Sequence, residues 1–216
     1  MDGNGKPPEN NGLISRSFTS YRAESAEDGM GHITGVPIVY EQPTDIGGWF
    51  EETIARGAVE EAALKDVAFF FNHDLYTKPM ARTRNGRLSL EAKKDGVYMD
   101  AVVNLKRSDA NDLYIAIQDG DIDGMSFAFR VAREEWTDLD TDYPKRRITK
   151  IDYVQEISAV NYPAYKGTSI NARALSDCDK RALDAARVQA QKDKRKEEPQ
   201  EDVELEKLKA KYLYGI

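Results

Sequence analysis

Residues 120–130, Gly120-Asp121-Ile122-Asp123-Gly124-Met125-Ser126-Phe127-Ala128-Phe129-Arg130, decide how the rest of the chain is read. A polar turn bracketed by two glycines opens into a run of alternating large and small residues. Side chains alternate across a strand, so Met125, Phe127, Phe129 and Val131 take one side, and Ser126, Ala128 and Ala132 take the other. The first set is a core face. The second sets Ser126 among small residues, where a substrate backbone has room to approach its hydroxyl. The competing reading is a small polar residue at a strand start, and the rest of the chain has to choose between them.

Working outward, the chain reads as many short strands with a few helices between them. Alternating segments at 14–21, 32–40 and 97–103 predict strands, as does the apolar run at 67–71, which stops abruptly at Asn72-His73-Asp74. Asn85-Gly86 between alternating runs predicts a hairpin of 80–84 with 87–92. The Ser126 strand should run to about Trp136, and strands at 147–151 and 154–160 should follow a polar loop at 137–145. Two helices are expected, or three if Gly57 breaks the first in two. One covers 49–61 with Phe50, Ile54, Ala58 and Ala62 on one face, and the other runs from Ser108 to just before Gly120 with Leu113, Ala116 and Ile117 buried. This order belongs to the α+β class, an antiparallel β-barrel or curled sheet flanked by helices.

Composition divides the chain further. Residues 1–12, rich in Gly, Pro and Asn, read as a disordered leader, and 13–175 as the folded domain. Residues 176–216 form a charged helical tail, with 20 charged residues among 41 and ten of each sign. Little core burial is expected from it. The exposed stretch 192–200 reads as a linker, and Leu205, Leu208, Tyr212 and Leu213 make a short apolar stripe beyond Pro199.

A chain of 216 residues with 40% hydrophobic content holds one well-cored domain. Its single cysteine, Cys178, forbids an internal disulfide and points to a reducing compartment. No apolar run reaches the length of a membrane span, and no hydrophobic signal region opens the chain. A net charge of −7 argues against direct nucleic-acid binding. Two histidines and one cysteine are too few for a His/Cys-rich zinc site, and His73-Asp74 lacks further ligands, so neither a metal nor a cofactor is expected.

Three polar residues stand at the margins of apolar strands: His73, Ser126 and Glu156. A serine hydroxyl needs a base to take its proton, histidine titrates in the right range, and a carboxylate behind the imidazole fixes its tautomer. Each also has a structural reading. His73 serves as a strand-end cap; Glu156 pairs with Arg82 or Arg147, since a glutamate inside an apolar strand needs a partner. Ser158 is a rival nucleophile, embedded mid-strand, and His32 reads as surface or structural. An esterase is disfavoured, because Gly124-Met125-Ser126-Phe127-Ala128 lacks the second glycine of a nucleophile elbow.

Five stretches, in order, resemble the tailed-phage prohead (capsid maturation) protease family. They are Ile54-Ala55-Arg56-Gly57-Ala58, Phe71-Asn72-His73-Asp74, Arg82-Thr83-Arg84-Asn85-Gly86, Gly120 to Phe129, and Gln155-Glu156-Ile157-Ser158-Ala159-Val160-Asn161-Tyr162-Pro163-Ala164-Tyr165. The resemblance covers about residues 13–173. It implies a β-barrel ringed by helices, like the herpesvirus assemblin serine proteases. It further implies Ser126 as nucleophile and His73 as general base. Assemblins use a second histidine as third member; this chain has none there, and Glu156 takes the place. The adjacent arginines that help assemblins bind the oxyanion are absent after Glu156, while Arg146-Arg147 precede it, so backbone N–H groups near Ser126 are the default donors.

The implied function is a serine endopeptidase that cuts scaffold and capsid-protein segments, and itself, during prohead maturation. Its implied partners are the major capsid protein and its scaffold segment, with a homo-oligomer compatible. It would act in the host cytoplasm and inside the assembling prohead, with no membrane association. The alternative is a catalytically silent scaffold or capsid-binding module on the same fold.

Overall fold

In the computed structural model, which describes residues 13–19, 21–25, 29–161, 176–197 and 211–213, the alternating stretches fold as strands. In chain order these are β1 (Leu13–Thr19), β2 (Tyr21–Ser25), β3 (Met30–Val39), β4 (Thr44–Asp45), β5 (Glu51–Ile54), β6 (Ala68–Phe71), β7 (Ala81–Arg82), β8 (Leu88–Ala92), β9 (Gly96–Asn104), β10 (Gly124–Thr137) and β11 (Lys145–Val160). Helix α1 spans Ser108–Gln118 and α2 spans Asp177–Glu197. The class is α+β, mostly strands with few helices.

β11 is the strand on which the others assemble. Along one edge it pairs antiparallel with β10, from Gly124 opposite Val160 to Thr137 opposite Lys145. Along the other it pairs parallel with β5 near its start and with β6 near its end, Ser158 opposite Phe70. β1 adds to the far side of β10, and β4 and β7 complete a seven-stranded sheet; β2, β3, β9 and β8 form a second sheet of four. Among the described residues the strand pairings do not close into a barrel, the feature expected from the sequence. The physical reason is that β1 and β2, consecutive in the chain, pair into different sheets.

The core lies between the sheets. Met125, Phe127 and Phe129 are fully buried, with Phe127 stacked on Phe129 at 4.7 Å, as the period-two reading requires. Ser126 and Ala128 on the opposite face are buried as well, so this strand is covered on both sides rather than open around the serine.

Other expectations fail for identifiable reasons. The helix expected over 49–61 is instead β5 followed by a single turn of 3-10 helix, Glu61–Leu64. Its Glu52 and Ile54 point inward at period two, and parallel pairing to β11 outweighs a helical pattern resting on alanines. Asn85-Gly86 makes no hairpin. It ends a 3-10 turn, Thr83–Asn85, with Gly86 in the left-handed conformation (φ 71°), and β7 and β8 join different sheets. The two strands expected at 147–151 and 154–160 are one, β11, carried through by bulges in its pairing with β10.

The start of α2 is also more deeply engaged than its composition implied. Ser176 and Asp179 cap it reciprocally: the Asp179 N–H donates to Ser176 Oγ (3.1 Å), and Ser176 Oγ to Asp179 Oδ2 (2.7 Å). The buried Asp179 carboxylate then accepts from Arg16 (3.1 Å) and Arg146 (2.7 Å), which also hold Glu52. One turn on, Leu183 is buried with Ile46 and Phe50, flanked by Trp136 and Leu139. Residues 192–197, expected as an exposed linker, continue the α2 helix. Tyr212 and Leu213 are exposed; Leu205, Leu208, the leader 1–12 and Tyr162 to Tyr165 lie outside the described residues.

Candidate active site

Parallel pairing of β6 with β11 brings the end of the Phe69-Phe70-Phe71 run beside Ala159, and there the strand stops. Asn72 and His73 both adopt the left-handed conformation, with φ 51° and 60°. Asparagine tolerates this; for histidine it costs of order 1–3 kcal/mol and persists only when the surroundings over-determine it. Here they do. The Asn72 N–H donates to the Ala159 carbonyl (2.8 Å), and the Asn161 N–H to Asn72 Oδ1 (3.0 Å). The His73 N–H donates to Ser158 Oγ (3.2 Å). The chain thus folds back over β11 and sets the imidazole against that strand.

His73 Nδ1 lies 2.6 Å from Glu156 Oε1. A carboxylate accepts, so Nδ1 carries the hydrogen, and in the neutral imidazole that leaves the lone pair on Nε2. The second carboxylate oxygen, Oε2, accepts a short hydrogen bond from Ser158 Oγ. Glu156 is 1% exposed, while about a third of the His73 side chain remains accessible. A buried acid is therefore satisfied at both oxygens, and it backs a partly exposed imidazole whose other nitrogen bonds to no described residue.

Ser126 stands directly across from Ser158 in the β10–β11 register, and Ala128 across from Glu156. Ser126, Ser158 and Glu156 consequently share one face of the sheet. The Ser126 hydroxyl is buried and makes no hydrogen bond to any described residue, His73 included. Catalytic hydrogen bonds are often long or unformed before substrate binds. The structure therefore joins His73 to Glu156 and sets Ser126 across the strand pair from their shared partner, without closing the contact between the serine and the imidazole.

The competing partners for Glu156 are committed elsewhere. Arg82 pairs with Asp66 (2.9 Å), and Arg147 with Glu41 (2.7 Å). Arg146 is buried against Glu52, Asp179 and Glu134, so both arginines of that pair are held by carboxylates. His32 pairs with Asp100 (2.9 Å) on the second sheet. No group of three or more potential metal ligands exists among the described residues, and no helix among them is long and apolar enough to cross a membrane.

Residues 18–181 match the model of the caudovirus prohead serine protease family. The chain is similar to the prohead protease of Enterobacteria phage HK97, with 31% identity over 166 residues, which is 74% of this chain and 68% of that relative. A solved structure, the bacteriophage T4 capsid assembly protease, aligns with a TM-score of 0.44 and 15% identity, covering 68% of this chain and 96% of that one. A family match that takes in β2 through the first turn of α2, together with a relative of that identity and coverage, makes this chain a member of the caudovirus prohead serine protease family.

Proposed function

We propose that this prohead maturation protease is a serine endopeptidase in which Ser126 is the nucleophile, His73 the general base and Glu156 the acid that orients the imidazole. The single observation that carries the reading is the 2.6 Å contact of His73 Nδ1 with buried Glu156 Oε1, on the sheet face that also bears Ser126. As Ser126 Oγ attacks the scissile carbonyl, its proton passes to His73 Nε2 and the carbonyl π electrons move to oxygen. Collapse of that oxyanion breaks the C–N bond, and the leaving amine takes the proton from Nε2. Water, deprotonated by the same nitrogen, then hydrolyses the acyl-serine, releasing a carboxylate and restoring the hydroxyl. Glu156 stabilises the imidazolium formed in each half without itself taking the proton.

The substrates in this reading are the phage major capsid protein, its scaffold segment and the protease itself, cut inside an assembling head. The HK97 relative is named a prohead protease, which supports the setting. An assemblin-like packing of the two sheets belongs to the same proposal, supported by the single buried core that their side chains share. So does the division into a protease unit over 13–175 and a tail that engages capsid or scaffold subunits. The test is co-expression with the cognate capsid protein and measurement of intact masses. Wild type should yield a shortened capsid protein, and Ser126→Ala the full-length one. Full-length capsid protein in both would instead mark a silent binding module.

A further inference from the structure

Ser158 has no part in the proton transfers described above, yet among the described residues no other side chain hydrogen-bonds to both His73 and Glu156. Its hydroxyl donates to Glu156 Oε2 and accepts from the His73 main-chain N–H at 3.2 Å. A serine hydroxyl offers one donor and two lone pairs, so its proton and one lone pair are both committed. The residue is fully buried. Those commitments leave it poorly placed to attack a substrate carbonyl, and well placed for something else.

We infer that Ser158 is a positioning residue that locks the imidazole of His73 to its acid by holding both ends of the connection. Strand geometry makes this available: residues 156 and 158 project from the same face of β11, so the hydroxyl and carboxylate meet. The left-handed backbone at Asn72 and His73 supplies the need, because that conformation must be held from outside. Of the hydrogen bonds that hold the turn, those at Asn72 come from main-chain groups of Ala159 and Asn161. At His73 itself the main-chain N–H is held by Ser158, and the ring by the carboxylate that Ser158 also holds. Removing this hydroxyl leaves a main-chain donor and a buried carboxylate oxygen short of a partner at once. The turn then relaxes toward ordinary backbone and carries the imidazole with it.

This inference rests on His73 and Glu156 acting as base and orienting acid. It is tested in the full chain with Ser158→Ala and with Ser158→Cys, which keeps the volume but weakens both hydrogen bonds. The rate of cleavage of the cognate capsid protein is followed over a range of capsid-protein concentrations, and the His73 Nδ1–H proton resonance is recorded for each variant. Ser158→Ala should lower kcat ten- to a hundredfold with KM within threefold, and should shift or broaden that resonance; Ser158→Cys should fall between. If Ser158→Ala does not fold, the same split and shift in Ser158→Cys carry the test. Wild-type kcat in whichever variant folds, or an unmoved resonance, overturns the inference while Ser126→Ala remains inactive. Cleavage by Ser126→Ala, with Ser158→Ala inactive, would instead overturn the underlying reading and make Ser158 the nucleophile.

Discussion

At the scale of single residues, the candidate site is built around a carboxylate that has left water. Glu156 is all but inaccessible, and its charge is acceptable there because His73 and Ser158 each donate to one oxygen. Glu156→Gln keeps the shape and removes the charge. It should leave the circular dichroism spectrum unchanged and lower the cleavage rate about a hundredfold or more, as loss of the carboxylate does in other Ser–His–acid sites. An unchanged rate would place the third member elsewhere. Much of this site is legible in the sequence. A histidine at an abrupt strand end, a serine among small residues and a glutamate inside an apolar strand each stand out by residue type. The partner of Glu156 is not legible, since Arg82 and Arg147 are equally good candidates until the fold assigns them to Asp66 and Glu41. Nor is the role of Ser158, because a hydroxyl takes its bonds from whatever turn the fold lays beside it.

At the scale of elements, alternation foretold the strands of the core, whereas β5 was hidden because four residues are too few to display a period. The Asn85-Gly86 signal was misleading for a related reason. Glycine in left-handed backbone ends a 3-10 turn as readily as it makes a hairpin, and only the sheet assignments of β7 and β8 separate the two. The seating of α1 depends on a glycine of another kind. A β-carbon on Gly31 would lie 2.7 Å from the ring of Tyr114, which α1 buries against β3. Gly31→Ala should therefore cost about 1–3 kcal/mol, the usual range for overpacking, measured by denaturant unfolding. An unchanged midpoint would mean that the helix moves freely. The chain leaving β3 is held by Glu41, whose carboxylate accepts from both terminal nitrogens of Arg147 and from the Arg56 N–H. The Arg147 guanidinium holds its pKa at about 2, down from the ordinary 4.5. A depressed carboxylate stabilises the fold above its unfolded value, and that contribution fades as pH falls from 4.5 toward 2. The pair is surface-exposed, so Glu41→Gln should cost no more than about 1 kcal/mol at neutral pH. Unfolding measured across that acid range should show the gap between wild type and variant closing; a gap that widens would contradict the assignment.

At the scale of the whole molecule, α2 is fastened to the large sheet by charge as well as by packing. Asp179 arrives from the helix, Arg16 from β1, Glu52 from β5 and Arg146 from β11. Burial by itself would raise the Asp179 pKa, but Arg16, the Ser176 hydroxyl and Arg146 together hold it below the usual aspartate value. Asp179→Ala leaves two buried guanidinium groups short of a carboxylate. It should destabilise the fold by about 3 kcal/mol, on the scale of breaking a buried pair, seen as a lower unfolding midpoint. A midpoint equal to wild type would show that α2 contributes nothing to the stability of the sheet. Composition could not reveal this attachment. A run of balanced charges reads as solvated unless the donors to Asp179, far away in sequence on β1 and β11, are known in advance.

The central claim is that Ser126 and His73 act as one catalytic unit, and the most direct measurement compares their single and double alanine variants. Residues that work together lose nearly everything on the first removal, so their effects are far from additive. With capsid-protein cleavage followed by intact mass, Ser126→Ala and His73→Ala should each abolish cleavage with the fold intact, and the double variant should be no worse than either. Retained cleavage in Ser126→Ala, or losses that multiply in the double variant, would contradict the account.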